Sequence, residues 1–312
     1  MRVLFYGTPK LAVPTLELLA GRETVVAAVT RPDRPAGRGL KSRESPVKAR
    51  ARELGIPVFD PVSLSGIAPE LKGLEPELGV VVAYGRILKP ELLAVPRLGT
   101  LNVHYSLLPK YRGAAPVQWS LARGEARTGV SLFWLDEGMD TGPIFLSREL
   151  EVGPEEDAGE LQERLVRLGL GALGDALSEI EAGRIRREPQ RGEASLAPLI
   201  KREDARIDLA RSAAEIHNLV RGMSLWPRAF LDLKTPPLRL LVLKTRLGAV
   251  PAGGFNRWGA ILSVERDGGI LIECGGGSSL WLLTVQPEGK KPLPAADFLN
   301  GLRLGAGDFL PV

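Results

Sequence analysis

Two short segments of this 312-residue chain carry polar residues at spacings suited to hydrogen-bonding and acid–base chemistry. The first, Asn102-Val-His104-Tyr-Ser106-Leu107-Leu108-Pro109-Lys-Tyr-Arg112-Gly, continues an apolar run that reads as a strand over Thr100–His104. Side chains two apart on a strand share one face, so an amide donor and an imidazole converge on one point. On local context alone, His104 is more often a satisfied structural histidine than a catalyst. The second segment is Asp136-Glu-Gly138-Met-Asp140-Thr-Gly142-Pro143. Asp136 and Glu137 read as a surface turn, and the acidic spacing does not match a calcium loop. Asp140 stands out only in combination with the first segment.

Other chemistries fit poorly. The loop after the first strand, Gly7-Thr8-Pro9-Lys10-Leu11, lacks the G-x-G-x-x-G of a dinucleotide site, and no G-x-x-x-x-G-K-[ST] occurs. One cysteine, Cys274, excludes an internal disulfide, and with two histidines it leaves no Cys/His cluster that could hold a structural zinc. With 44% hydrophobic and 25% charged residues, the composition is that of a folded globular protein. The longest apolar runs, such as Val80 to Tyr84, fall far short of the roughly 20 residues of a membrane helix. The chain opens on a strand-like run rather than a signal peptide, so a cytoplasmic, membrane-free protein is expected.

The elements that must position these segments follow from periodicity. The first half alternates short apolar runs with amphipathic stretches, the pattern of βαβ units and a doubly wound, parallel sheet. Strands are expected at Arg2–Tyr6, Val25–Thr30, Pro57–Phe59, Gly79–Ala83, Thr100–His104 and Gly129–Trp134, with helices at Pro14–Ala20, Pro46–Glu53 and Pro90–Leu93. A longer helix is expected from Ala158 to Ile180, ending at Gly183. The first polar segment then leaves the carboxyl end of the sheet, where open α/β folds place ligands. Residues 1–183 form the expected first domain and the charged stretch 184–205 a linker. Residues 206–312, with one helix over Ala213 to Arg221 and strand-like runs between Gly/Pro turns, read as a small β-barrel. From Arg206 onward there are thirteen Lys or Arg against nine Asp or Glu, which accounts for the whole net charge of +4. That asymmetry suits a polyanionic partner, although a solvated basic surface is the commoner outcome.

Taken together, the N-x-H, the S-L-L-P, the following R-G and the D-x-G-x-D-T-G loop resemble the 10-formyltetrahydrofolate-dependent formyltransferase family, and all stand here in order. Gly7-Thr-Pro, Arg31 to Gly39, Ser45-Pro-Val-Lys48, Val81 to Gly85, Ala205 to Asp208 and Gln286 to Lys291 extend the likeness over nearly the whole chain. It is greatest to the members that formylate a charged tRNA. The departures are Tyr105 in place of a small residue, Arg86 after Tyr84-Gly85, and Ser224-Leu-Trp-Pro227. The resemblance implies a Rossmann-like, mostly parallel sheet followed by an OB-like β-barrel. It also implies transfer of the formyl group of 10-formyltetrahydrofolate to methionyl initiator tRNA in translation initiation, by a monomer, with neither metal nor covalent intermediate.

On that reading Asn102 donates to the developing oxyanion, His104 relays protons, and Asp140 orients and stabilises the imidazole. Ser106, Leu107, Leu108, Pro109, Arg86, Ile87 and Leu88 are the candidates for holding the folate, although the apolar ones fit ordinary core equally well. The irregular basic loop from Arg31 to Arg43 would enter the acceptor stem through Arg34, Arg38, Lys41 and Arg43, and Lys290 and Lys291 would contact phosphates. The alternatives are a folate formyltransferase acting on a small amine, such as glycinamide ribonucleotide or an amino-sugar nucleotide, and a catalytically silent RNA-binding protein.

Overall fold

The computed structural model describes residues 1–36, 41–249, 257–266 and 268–312. The chain divides into two compact units. The first holds Met1–Pro116, Thr128–Leu150 and Glu163–Pro198; the second holds Val117–Arg127, Glu151–Gln162 and Leu199–Val312. Along the chain run β1 (Arg2–Gly7), α1 (Val13–Arg22), β2 (Thr24–Val29), the short β3 (Arg34–Ala36) and β4 (Lys41–Arg43), α2 (Pro46–Glu53), β5 (Val58–Phe59), α3 (Ala68–Gly73) and β6 (Leu78–Val82). They are followed by α4 (Pro90–Leu93), β7 (Thr100–His104), β8 (Arg112–Gly113), α5 (Pro116–Ala122), β9 (Arg127–Trp134), β10 (Ile144–Glu151), α6 (Ala158–Glu181) and β11 (Leu196–Ala197).

The first unit is organised by a seven-stranded sheet in the order β10-β9-β7-β6-β1-β2-β5. The pairs β1–β2, β1–β6, β6–β7 and β2–β5 are parallel, and β7–β9 is antiparallel. Burial explains the composition: Val3-Leu-Phe-Tyr6 of β1 and Leu78 to Val82 of β6 are buried on both faces, which a parallel sheet covered by helices requires. The expected strands and longer helices are present. Strand β10, at the edge of the sheet, is eight residues long. Helices α3 and α5 were not foreseen; at six and seven residues they are too short to show a period.

Two stretches carry structure that their sequence patterns do not show. In the basic loop Arg34, Pro35 and Ala36 pair antiparallel with Arg43, Ser42 and Lys41. Its prolines and glycines exclude helix without excluding two short strands. Within the stretch 184–205, residues through Pro198 group with the first unit and those from Leu199 with the second. Its charge and two prolines conceal backbone hydrogen bonds that a sequence pattern does not reveal.

The second unit contains α7 (Ala213–Gly222), β12 (Phe230–Lys234), β13 (Pro237–Gly248), β14 (Ile261–Glu265), β15 (Gly269–Cys274), β16 (Ser278–Pro287), β17 (Leu293–Pro294) and α8 (Ala295–Leu302). Its strands form an antiparallel sheet in the order β12-β13-β16-β15-β14, with β17 on β16. Ser212 and Glu215 close a capping box at the start of α7. Strand β13 runs for 12 residues, and register shifts around Lys244 interrupt its two-residue alternation.

Candidate active site

Strand β7 sorts its side chains by face. A Cβ built on Gly169 of α6 would lie 3.2 Å from Val103 and 3.4 Å from Tyr105, so these two residues face that helix. Asn102 and His104, alternating with them, point to the opposite face. The unusual Tyr105 is thus accommodated where α6 carries a glycine. His104 is buried, while the half-buried Asn102 amide has no protein hydrogen-bond partner among the described residues.

The loop leaving β7 is built to hold the imidazole. The Ser106 hydroxyl donates to the Lys110 carbonyl at 2.7 Å, and Ser131 of β9 donates to the Ser106 carbonyl at 2.8 Å. Ser131 Oγ in turn accepts the Leu108 N–H at 3.0 Å. Tyr111 sits at φ 61°, a left-handed conformation that is strained for a bulky residue. This turn aims its carbonyl at His104 Nε2, 2.9 Å away. A carbonyl accepts only, so Nε2 bears the proton and the neutral ring has its lone pair on Nδ1.

That nitrogen faces Asp140, whose Oδ2 lies 3.7 Å from it. The same Oδ2 accepts the Gly113 N–H at 2.7 Å. Gly113 has φ 124° and approaches the Ala197 carbonyl so closely that a Cβ would collide with it, which confines the position to glycine. The Asp140 turn is capped by Asp136, whose Oδ1 accepts from Thr141 Oγ1 at 2.7 Å and from the Gly138 N–H at 3.1 Å. Burial holds the His104 pKa below its usual value, opposed by the Asp140 charge and the Tyr111 carbonyl. The ring is therefore neutral at pH 7, with a vacant proton site beside a carboxylate that can stabilise the imidazolium.

Sequence reasoning missed the strand of backbone that supports this arrangement. Ser195 Oγ accepts the Tyr111 N–H at 2.9 Å, its carbonyl accepts the Arg112 N–H at 2.9 Å, and β11 pairs with β8. Gln190 touches both Asp140 and Arg112. Gln190 was hidden in a charged, aperiodic stretch with no local signal.

The structure sets His104 Nδ1 3.7 Å from Asp140 Oδ2, with Asn102 on the same face of β7 as His104, and distributes the other candidates. Ser106 is fully buried, with its hydroxyl used inside the loop; Pro109 is buried, and Leu107 and Leu108 are half-buried. Arg86 donates to the Pro61 and Val62 carbonyls at 2.9 and 2.8 Å, which ties the ends of β6 and β5 together. Ile87 is 82% exposed, whereas Leu88 is a core residue packed with Tyr84 and Leu92. Arg38 lies outside the described residues; Arg34, Lys41 and Arg43 are placed by the β3–β4 pairing, with their side chains outside the described set. Lys290 and Lys291 are exposed on the turn after β16, where the Gln286 amide donates to the Lys290 carbonyl at 2.7 Å.

Residues 1–177 match the formyl transferase family and residues 199–303 match the formyl transferase C-terminal domain. The chain belongs to the formyl transferase family. It is 45% identical to the methionyl-tRNA formyltransferase of Citrifermentans bemidjiense over 99% of this chain and 96% of that protein. It is also 46% identical to the enzyme of that name from Solibacter usitatus, over 97% and 96% of the two chains. Within the family its place is among the methionyl-tRNA formyltransferases. An N-formyltransferase from Helicobacter canadensis, solved with folinic acid and dTDP-3-aminofucose, shares the fold at a TM-score of 0.66 and 18% identity, over 90% of this chain and 98% of that one. HypX from Aquifex aeolicus, solved with tetrahydrofolic acid, aligns at a TM-score of 0.63 and 18% identity, over 98% of this chain and 48% of that one.

Proposed function

We propose that the protein transfers the formyl group of 10-formyltetrahydrofolate to the α-amine of methionyl initiator tRNA, by direct attack of the amine, as a monomer in the cytoplasm. The observation that carries this reading is that His104, whose unprotonated Nδ1 lies 3.7 Å from Asp140, shares a strand face with Asn102, whose amide has no protein partner among the described residues. The unpartnered Asn102 donor is what a carbonyl oxygen gaining charge needs, so the residues present fit a formyl donor. When bound, the folate supplies the activated formyl group.

Asn102 donates to the formyl oxygen as negative charge develops there. His104 Nδ1 accepts the proton released by the attacking amine, since Nε2 is fixed on Tyr111, and can return it to the departing nitrogen. Asp140 stabilises the transient imidazolium through its charge at 3.7 Å, too far for a hydrogen bond. On this reading the basic loop residues Arg34, Arg38, Lys41 and Arg43, together with Lys290 and Lys291, contact tRNA phosphates. The folate candidates that remain open to a ligand are Ile87, Leu107 and Leu108, with backbone groups of residues 105–109.

The test is formation of formyl-methionyl-tRNA from 10-formyltetrahydrofolate and charged initiator tRNA, with glycinamide ribonucleotide and a dTDP-amino sugar as competing acceptors. Turnover confined to the small amines would replace this reading with the sugar or nucleotide one. No turnover with any acceptor would favour the silent RNA-binding protein.

A further inference from the structure

We infer that Gln190 is a positioning residue for the reaction: its side-chain amide joins the Asp140 turn to Arg112 and so fixes the carboxylate beside His104. This rests on the formyl-transfer reading. The Gln190 Nε2 group donates to the carbonyls of Asp140 and Gly142, at 2.8 and 2.9 Å. Its Oε1 accepts from Arg112 Nε at 3.2 Å and Nη2 at 2.6 Å. Both N–H donors and the oxygen are therefore used, and the reversed amide would set its oxygen against two carbonyls.

Geometry explains why such a grip is needed. Asp140 is held at φ 55°, a conformation its own backbone does not favour. Its side chain is gripped from one side by the Gly113 N–H, and its carbonyl from the other by Gln190. Arg112, the neighbour of Gly113, closes the ring of contacts through the Gln190 oxygen. The segment that carries Gln190 is itself tied down on both sides. Glu188 exchanges two backbone hydrogen bonds with Ile144 at 2.7 and 2.9 Å, and Ser195 donates its N–H to the Pro109 carbonyl at 3.3 Å. The Arg186 carbonyl accepts the Trp134 indole N–H at 2.7 Å. Because no hydrogen bond joins Asp140 to His104, their interaction has no restoring geometry of its own. The distance is set by these outer contacts, and misplacement by about 1 Å can cost on the order of 100-fold in rate.

The experiment uses the full chain with Gln190→Ala and Gln190→Glu. The glutamate keeps an oxygen for Arg112 and loses both donors to the Asp140 turn. We expect both variants to lose at least about 10-fold in kcat, equivalent to about 1.4 kcal/mol, with KM for each substrate within about threefold of wild type. The chain has only two histidines, so the His104 imidazole can be followed by NMR without substrate. Asp140 is the charged group facing that ring, alongside the Tyr111 carbonyl and the edge-on Phe133 ring. In Gln190→Ala the His104 titration midpoint should move down as the carboxylate drifts away. Should Gln190→Ala not fold, Gln190→Met keeps the side-chain volume and takes its place. Wild-type kcat in Gln190→Glu, or an unmoved His104 midpoint, overturns the inference. Failure of the wild-type chain to formylate methionyl-tRNA would instead remove the functional reading, while the NMR result still decides the role of Gln190.

Discussion

Each unit of the molecule buries one histidine, and the two rings separate a structural environment from the one to which the proposed mechanism gives the proton transfer. In the second unit, His217 on α7 meets Thr245 Oγ1 through Nδ1 at 2.9 Å and the Pro154 carbonyl through Nε2 at 3.3 Å. Both nitrogens of the neutral ring are satisfied, and burial lowers its pKa. In the first unit, His104 carries its proton on the same nitrogen, anchored to Tyr111, but its Nδ1 faces a carboxylate at 3.7 Å rather than a hydroxyl. Burial and a lowered pKa are thus common to both and do not mark function. A carboxylate also stands near His217, with Glu155 Oε1 3.9 Å from Nε2, so what distinguishes His104 is that the nitrogen facing its carboxylate, Nδ1, has no hydrogen-bond partner among the described residues.

Exchanging the two rings gives the largest expected contrast. General acid–base groups contribute roughly 100- to 10,000-fold, so His104→Gln should lose turnover within that range while His217→Gln retains it. The cost of His217→Gln should appear as stability instead, about 1–3 kcal/mol, because Thr245 and Pro154 lose a fitted partner. Denaturant titration and steady-state kinetics on both variants check this; a larger turnover loss from His217→Gln would reverse the assignment. Asn102→Ala belongs with His104, at roughly 100- to 1,000-fold for a lost oxyanion donor.

A smaller effect follows from acid. Both histidines have folded pKa values below the ordinary 6.5, so on acidification the unfolded chain takes up protons first. Their contribution to stability is complete above that pH and is lost as pH falls from 6.5 toward the folded values. The proposed mechanism needs a vacant Nδ1 on His104, so it predicts that kcat/KM declines on the acid side with a midpoint below 6.5. Asp140→Asn keeps an acceptor for Gly113 and tolerates the positive φ, but removes the charge that raises the His104 pKa. The acid midpoint should therefore drop further as turnover falls, and an unmoved midpoint would show that Asp140 acts only through shape.

How much of this was legible in the sequence depends on the range of the contacts. The parallel strands are continuous apolar runs, and Asn102 and His104 share a face by strand alternation alone. Asp140 was accessible only through the resemblance of its loop, because nothing local distinguishes it from Asp136, which caps the turn. The Tyr111 carbonyl, the Gly113 amide and Gln190 were not legible at all. The first two are backbone groups aimed by positive φ, and Gln190 lies 50 residues beyond Asp140 in a stretch without periodicity. Arg86, assigned to the folate from the sequence, also donates to the Pro61 and Val62 carbonyls, a pair of contacts that no local pattern shows.

The basic surface sharpens the comparison from outside the catalytic trio. Arg38→Ala should lower turnover on charged initiator tRNA by at least about 10-fold and reduce the slope of log affinity against log salt, with folate binding unchanged. A guanidinium donates in a fork, so Arg38→Lys should restore only part of the loss. A normal rate in Arg38→Ala would leave the hairpin as a connector and move tRNA recognition to other residues.

The smallest expected effect tests whether the two faces of β7 are as separate as the two histidine environments. Gly169 sits within α6 behind Val103 and Tyr105, and its replacement by alanine brings two opposed terms. Alanine is favoured over glycine in a helix interior by about 1 kcal/mol. The added methyl would stand 3.2 Å from Val103 Cγ1 and 3.4 Å from Tyr105 Cε1, so these side chains must yield by a few tenths of an ångström. The terms nearly cancel, and Gly169→Ala should change stability by less than about 1 kcal/mol in either direction. Turnover should stay within about twofold, because Ser131, Tyr111 and Gly113 hold the site from the other face and the loop, not from α6. A tenfold or greater loss of kcat at unchanged stability would show instead that the lateral position of β7 against its helix sets the reacting geometry. The back face of the strand would then belong with the catalytic environment rather than with the core.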